Sequence, residues 1–119
     1  MYELINPFHH HCDKRGSIFG IINNSLWEES NFIFSKKDSI RGNHYHKKTN
    51  ELIFLIKGEI EVYLFDLNTK KELKLVLNEN SILKINTYVL HTFTMKKESK
   101  WINLLSKKFD QKNPDIHYI

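Results

Sequence analysis

The sequence predicts an all-β domain, a sandwich or barrel of short strands. Three observations carry that prediction. Apolar runs recur at spacings of roughly 8–12 residues with turn signals between them. No window repeats apolar residues at the 3.6-residue spacing of a helix. β-branched and aromatic residues, which suit a pleated surface, are abundant, with aromatics alone at 13% of 119 residues.

Taken in order, residues 1–15 read as an irregular, polar segment relieved by Tyr2, Leu4, Ile5 and Phe8, with His9-His10-His11 in a loop. Gly16–Ile22 is the first apolar run and Asn31–Phe34 the next. Between them, Asn23-Asn24-Ser25 signals a turn and Leu26–Glu29 suits a helical turn. Gly42–His46 and the unbroken run Leu52–Ile56 follow, the latter the mark of a buried strand. Glu59–Phe65 alternates, Asp66–Lys70 is a hairpin connection, and Leu73–Leu77 pairs back across it. Ile82–Ile85, Leu90–Met95 and Trp101–Leu105 complete the strands, and 106–119 reads as a polar tail able to pack on the body. Phe54, Ile56, Val62, Leu64, Leu75, Leu77, Ile82, Ile85 and Ile102 are the expected interior. Without repeat or linker, 1–119 is one domain.

Composition narrows the function classes. Hydrophobic residues make up 40%, enough for a folded core. No apolar run approaches the ~20 residues of a transmembrane helix, so no membrane role is expected. No secretory signal opens the chain, and the single cysteine, Cys12, forbids an internal disulfide; both fit a cytoplasmic protein. The formal charge of +4 comes from scattered lysines, without the clustered cations and exposed aromatics of a nucleic-acid groove. It suits a solvated surface or attraction for an anionic small molecule.

The chemistry concentrates in Arg41–Glu51. Residues i and i+2 of a strand share a face, so His44 and His46 can reach one point, while Tyr45 faces away. If the strand opened by Glu51 lies next to theirs, its carboxylate reaches the same point. Imidazole and carboxylate together suit a divalent transition metal, and His91 is the best fourth ligand.

His44, His46, Glu51 and Gly58 carry the spacings of the first motif of the cupin superfamily, which this chain resembles. His91 stands where the second motif places its histidine, although Asn86 replaces that motif's proline and Asn80 and Tyr88 its glycines. The resemblance implies a double-stranded β-helix, the cupin jelly roll. It implies ligands His44, His46, Glu51 and His91 in the barrel mouth holding a divalent metal, zinc foremost, with Fe, Mn or Ni as alternatives. Arg41-Gly42 before the histidines and Asp13–Gly16 upstream are similar to cupin enzymes that remodel nucleotide-linked 4-keto-6-deoxy sugars. The metal-free 3,4-ketoisomerases of that group carry a glutamine where this chain has Glu51. The closer likeness is the zinc-binding cupin domain of capsular-polysaccharide reductases, whose tail resembles Phe109–Asp115; the expectation is that cupin without its reductase.

That resemblance implies an epimerase or isomerase in surface-polysaccharide synthesis. Such an enzyme removes a proton α to a carbonyl, stabilises the enediolate and returns the proton. The resemblance assigns the base to His44, which the metal also wants; both roles stay open. Tyr63 and Tyr88 are candidates to return the proton, or packing residues. Arg41 is expected to contact phosphate, as are Arg15 and Lys47, or else to make surface salt bridges. Alternatives are a non-catalytic sugar- or small-molecule-binding cupin, as sensor or accessory subunit, and a metal-dependent dioxygenase. Pairing of N-terminal strands through Phe19, Ile21 and Phe32 would give a homodimer.

Overall fold

The computed structural model describes residues 1–119 and contains eleven strands. These are β1 (Tyr2–Ile5), β2 (His9–Asp13), β3 (Gly16–Gly20), β4 (Glu29–Ser35), β5 (Ile40–His44) and β6 (Glu51–Lys57). Then come β7 (Ile60–Asp66), β8 (Glu72–Leu77), β9 (Ile82–Ile85), β10 (Val89–Met95) and β11 (Ser99–Leu105). A five-stranded sheet runs β1-β9-β6-β11-β4, a four-stranded sheet β5-β10-β7-β8, and β2-β3 forms a separate hairpin. Every pairing is antiparallel.

The core lies between the two larger sheets. Ile53, Leu55, Leu83, Ile85 and Trp101 from one face Ile60, Val62, Leu64, Val89, Phe93 and Met95 from the other. β7 shows the alternation that builds this, with Ile60, Val62 and Leu64 buried and Glu61, Tyr63 and Phe65 half-buried on the opposite face. Burying each such aliphatic side chain is worth about 1.5–3 kcal/mol. β6 differs because both of its faces are covered. Leu52 and Phe54 pack outside the five-stranded sheet with Ile82, beneath Ile21, Ile22 and Trp27. That double cover explains the unbroken apolar run.

Several expectations are corrected. Residues 1–15 are not irregular: β1 pairs with β9 at the sheet edge, and His9-His10-His11 lies in β2, where His10 stacks on Phe19. All five β2 residues are exposed, so no burial pattern marked the strand. Leu26–Glu29 forms no helical turn; Leu26 is 87% exposed and Glu29 already starts β4. Ile56 is exposed, since inward and outward positions both end at Leu55, and Leu75 and Ile102 are only half-buried.

Candidate metal centre

Local backbone geometry brings the four candidate ligands together. β5 pairs with β10 so that His44 lies opposite His91, and the register slips between His91 and Thr92. The slip is taken up at Gly42 and Asn43, whose φ values are 85° and 62°. A Cβ on Gly42 would sit 2.7 Å from the His91 carbonyl oxygen, so this close approach needs glycine. Past the bulge, the ring centroids of His44, His46 and His91 lie 4.9–5.1 Å apart. Their ligating nitrogens all fall within 4.8 Å of one another. Glu51 opens β6 on the facing sheet, with its Oε1 3.3 Å from His46 Nε2 and 3.6 Å from His91 Nε2. Gly58, at φ 116°, passes close to Ser99 where β6 turns into β7. Asn80 and Tyr88, which replace motif glycines, keep glycine-like φ values of 71° and 61°.

Two of the rings are held by carbonyls. His91 Nδ1 donates to Val89 O at 3.0 Å and His46 Nδ1 to Asp115 O at 2.6 Å. A carbonyl only accepts, so both Nδ1 atoms carry hydrogen and both Nε2 atoms face the site. His91 Nε2 is buried and has no hydrogen-bond partner. Burial holds His91 below its ordinary value and therefore neutral, leaving a lone pair aimed at Glu51. Burial also opposes charge on Glu51 and on His46, but their mutual hydrogen bond, together with the Asp115 contacts on His46 and the histidines around Glu51, outweighs it, lowering the Glu51 carboxyl and raising the His46 imidazole. No hydrogen bond holds the His44 ring, which packs against His46, His91 and Tyr118. Burial, and then His91 and His46, push its imidazole down to about 4, so it is neutral at neutral pH. An orphaned imidazole lone pair, a second oriented imidazole and a carboxylate form a donor set that fits a divalent transition metal.

His44, His46 and Glu51 floor a cavity of about 400 Å³. Its walls come from β11, through Asn103 and Leu105, and from the C-terminal segment 107–116. Asn103 was not foreseen. Asn31 Nδ2 donates to its Oδ1 at 3.0 Å, which leaves the Asn103 amide free to help lower the Glu51 carboxyl. The C-terminal segment does pack on the body. Glu28 and Glu29 accept from the backbone N–H of Lys108 and Phe109, each at 2.9 Å, and His117 forms a β-bridge with Tyr45.

The profile of the polysaccharide biosynthesis C-terminal domain matches residues 11–117. The chain belongs to that family. No curated protein matches the sequence. Among solved structures, the TDP-quinovose 3,4-ketoisomerase of Campylobacter jejuni is similar at TM-score 0.87 and 22% identity, over 99% of this chain and 92% of that one. The dTDP-4-dehydrorhamnose 3,5-epimerase of Sulfolobus tokodaii is similar at TM-score 0.78 and 23% identity, over 93% and 78%. A 3,4-ketoisomerase of Thermoanaerobacterium thermosaccharolyticum, solved with TDP, is similar at TM-score 0.79 and 22% identity, over 97% and 85%. These likenesses establish the cupin jelly roll.

In this polysaccharide biosynthesis domain, the other expected site residues lie apart from the cavity wall. Tyr63 points to the outer face of its sheet and donates to Glu72 at 2.6 Å, because its neighbours Val62 and Leu64 take the inward positions. Tyr88 sits at the turn before β10 and packs its ring on Tyr45. Arg41 donates to Ser35 Oγ at 2.9 Å, next to Trp101, which uses the same oxygen at 3.1 Å. Arg15 is paired with Asp13 at the exposed β2-β3 tip. Lys47 reaches solvent while its backbone N–H serves Asp115. The cations that do line the cavity are Lys48, Lys107 and Lys108, and none has a carboxylate within 4.0 Å. Lys47 and Lys48 are neighbours in the loop between β5 and β6, and only Lys48 lines the cavity.

Proposed function

We propose that this domain is a metal-binding epimerase or isomerase of a nucleotide-linked 4-keto-6-deoxy sugar in polysaccharide biosynthesis. The observation that carries the proposal is the division among the histidines. His46 and His91 are oriented by carbonyls toward Glu51, whereas His44 lines the cavity with no hydrogen bond on its ring. His46, His91 and Glu51 would hold the metal, zinc by preference, with Fe, Mn or Ni accepted by the same donors. Bound there, the metal supplies Lewis acidity toward the keto oxygen. His44 is neutral and takes the proton from the carbon α to the carbonyl, leaving an enediolate whose charge the site stabilises. Lys48, Lys107 and Lys108 give the diphosphate unpaired cations. The isomerases and epimerases of similar fold act on TDP-linked sugars, which supports this substrate class.

A homodimer completes the reading. Phe32 is 64% exposed, and Phe8, Phe19 and Ile21 line an apolar groove on the same molecule, surfaces that a second copy would cover. Sedimentation at micromolar concentration tests it; a monomer there overturns the dimer alone.

The deciding experiment combines metal analysis with solvent exchange. Protein purified without added metal is analysed as wild type, Glu51→Gln and His44→Gln. Each is then incubated in D₂O with 4-keto-6-deoxy nucleotide sugars. Wild type is expected to hold metal and to place deuterium on the sugar carbons. Glu51→Gln loses both, while His44→Gln keeps metal and loses exchange. Absence of exchange with every such sugar overturns the enzyme reading and leaves a binding cupin. Two histidines and one carboxylate are also the donors of non-haem Fe(II) oxygenases, so oxygen consumption by Fe(II)-loaded protein is the measurement for that second reading.

A further inference from the structure

His91 is steadied from within its own strand, by a carbonyl two residues away. His46 is steadied from 69 residues away, by the carbonyl of Asp115. The same Asp115 also holds the loop that joins His46 to Glu51. Its Oδ1 accepts from the Lys47 N–H at 3.0 Å, and its Oδ2 accepts from the Lys48 N–H at 2.8 Å and the Thr49 hydroxyl at 2.9 Å. His117 Nε2 adds a fourth donor at 2.9 Å to Oδ1. Thr49 is buried, so its hydroxyl has no easy recourse to water.

Each half of this arrangement restricts one freedom. An imidazole whose Nδ1 is unheld exchanges tautomers and turns its ring; a carbonyl on Nδ1 fixes the proton there and the lone pair on Nε2. A six-residue connection such as that between β5 and β6 samples many conformations, whereas three of its donors converging on one carboxylate select one. Pro114, immediately before, fixes its own φ and so limits how the segment can leave that position. The Tyr45–His117 bridge, with both hydrogen bonds at 3.0 Å, secures it on the other side.

We infer that Asp115 is a positioning residue: it sets the tautomer of His46 and the separation of His46 from Glu51, making the C-terminal segment a structural part of the site. The inference rests on the metal-binding reading for only one of its two readouts.

The test compares wild type with Asp115→Asn, Asp115→Ala and Asp110→Asn. Asp110 belongs to the same segment but accepts only from the backbone of Lys112 and Asn113, and so serves as control. The first readout is ¹⁵N-resolved NMR of the histidine rings, without metal. Wild type and Asp110→Asn should show a His46 Nδ1 proton protected from exchange, and both Asp115 variants should lose it. The second is titration with Co(II), read from its visible absorption. Both Asp115 variants should bind on the order of 10–100-fold more weakly, with an altered spectrum. A protected Nδ1 proton in both Asp115 variants overturns the inference, as does Co(II) affinity within about twofold of the control. If the Asp115 variants do not fold, Thr49→Val removes one donor at constant size. It should weaken Co(II) binding by a few-fold, and unchanged NMR and Co(II) behaviour there overturns the inference. A wild type that binds no Co(II) overturns the metal reading instead, and the NMR comparison still decides the role of Asp115.

Discussion

His91 Nε2 faces Glu51 Oε1 at 3.6 Å, and no donor stands between them. Both atoms are acceptors, because the His91 proton is committed to the Val89 carbonyl. Two buried acceptors facing each other repel; the His46 contact to the same oxygen at 3.3 Å offsets part of this, and a metal cation joining all three would offset the rest.

Metal should therefore stabilise the fold. At a free concentration about 100 times the dissociation constant, it adds about 2.7 kcal/mol. For a domain of this size that raises the thermal midpoint on the order of 10 °C. Scanning calorimetry of chelator-treated protein with and without Zn(II) measures it, and His91→Asn should abolish the shift. Equal midpoints with and without Zn(II) in wild type would contradict the arrangement.

Substrate affinity should follow the cavity lysines. The Lys107→Ala/Lys108→Ala double variant is expected to weaken TDP binding at least tenfold, with a shallower salt dependence than wild type. Arg15→Ala, at the distant hairpin tip, should bind as wild type does. Calorimetric titration distinguishes them, and the reverse ranking would restore the family-based expectation for Arg15.

Gly42→Ala should damage both stability and metal binding. The backbone there has φ 85°, and the added methyl group would press on the His91 carbonyl. The cost is about 1–3 kcal/mol in urea unfolding. Gly16→Ala is a useful contrast. Its φ is 131° but nothing lies within 4 Å, so strain stays in the β2-β3 hairpin and metal affinity is kept.

Docking of the C-terminal segment should be lost in acid. Partial burial opposes charge on Asp115, but the Lys47 and Lys48 N–H groups, then Thr49 and His117, hold its carboxyl at about 2 against an ordinary 3.8. A depressed acid stabilises above its unfolded value and loses that contribution as pH falls through its folded value. The stability difference between wild type and Asp115→Asn should be full above about pH 4 and shrink toward pH 2. Urea midpoints across that range measure it; a difference independent of pH would contradict the pairing.

The core was legible because burial leaves a period. Val62, Leu64 and Phe93 fall inward on alternation, and Leu52–Leu55 reveals a strand covered twice. The candidate ligand cluster was legible because His44, His46 and Glu51 lie within eight residues of sequence. The same alternation places Tyr63 outside, between two inward neighbours. The tail was illegible for a different reason. Asp115 acts on residues 66–69 positions away, and neither its spacing nor its polarity distinguishes it from a solvated aspartate. Glu29, Asn31 and Asn103 likewise meet only once β4 and β11 pair.

The bridge between Tyr45 and His117 has a consequence for solubility. β5 borders the four-stranded sheet, and its outer rim offers unpaired amides to any other extended chain. The segment around His117 occupies part of that rim. Removing it would expose a template for strand addition, so a shortened protein should associate edge to edge, even where its core remains intact.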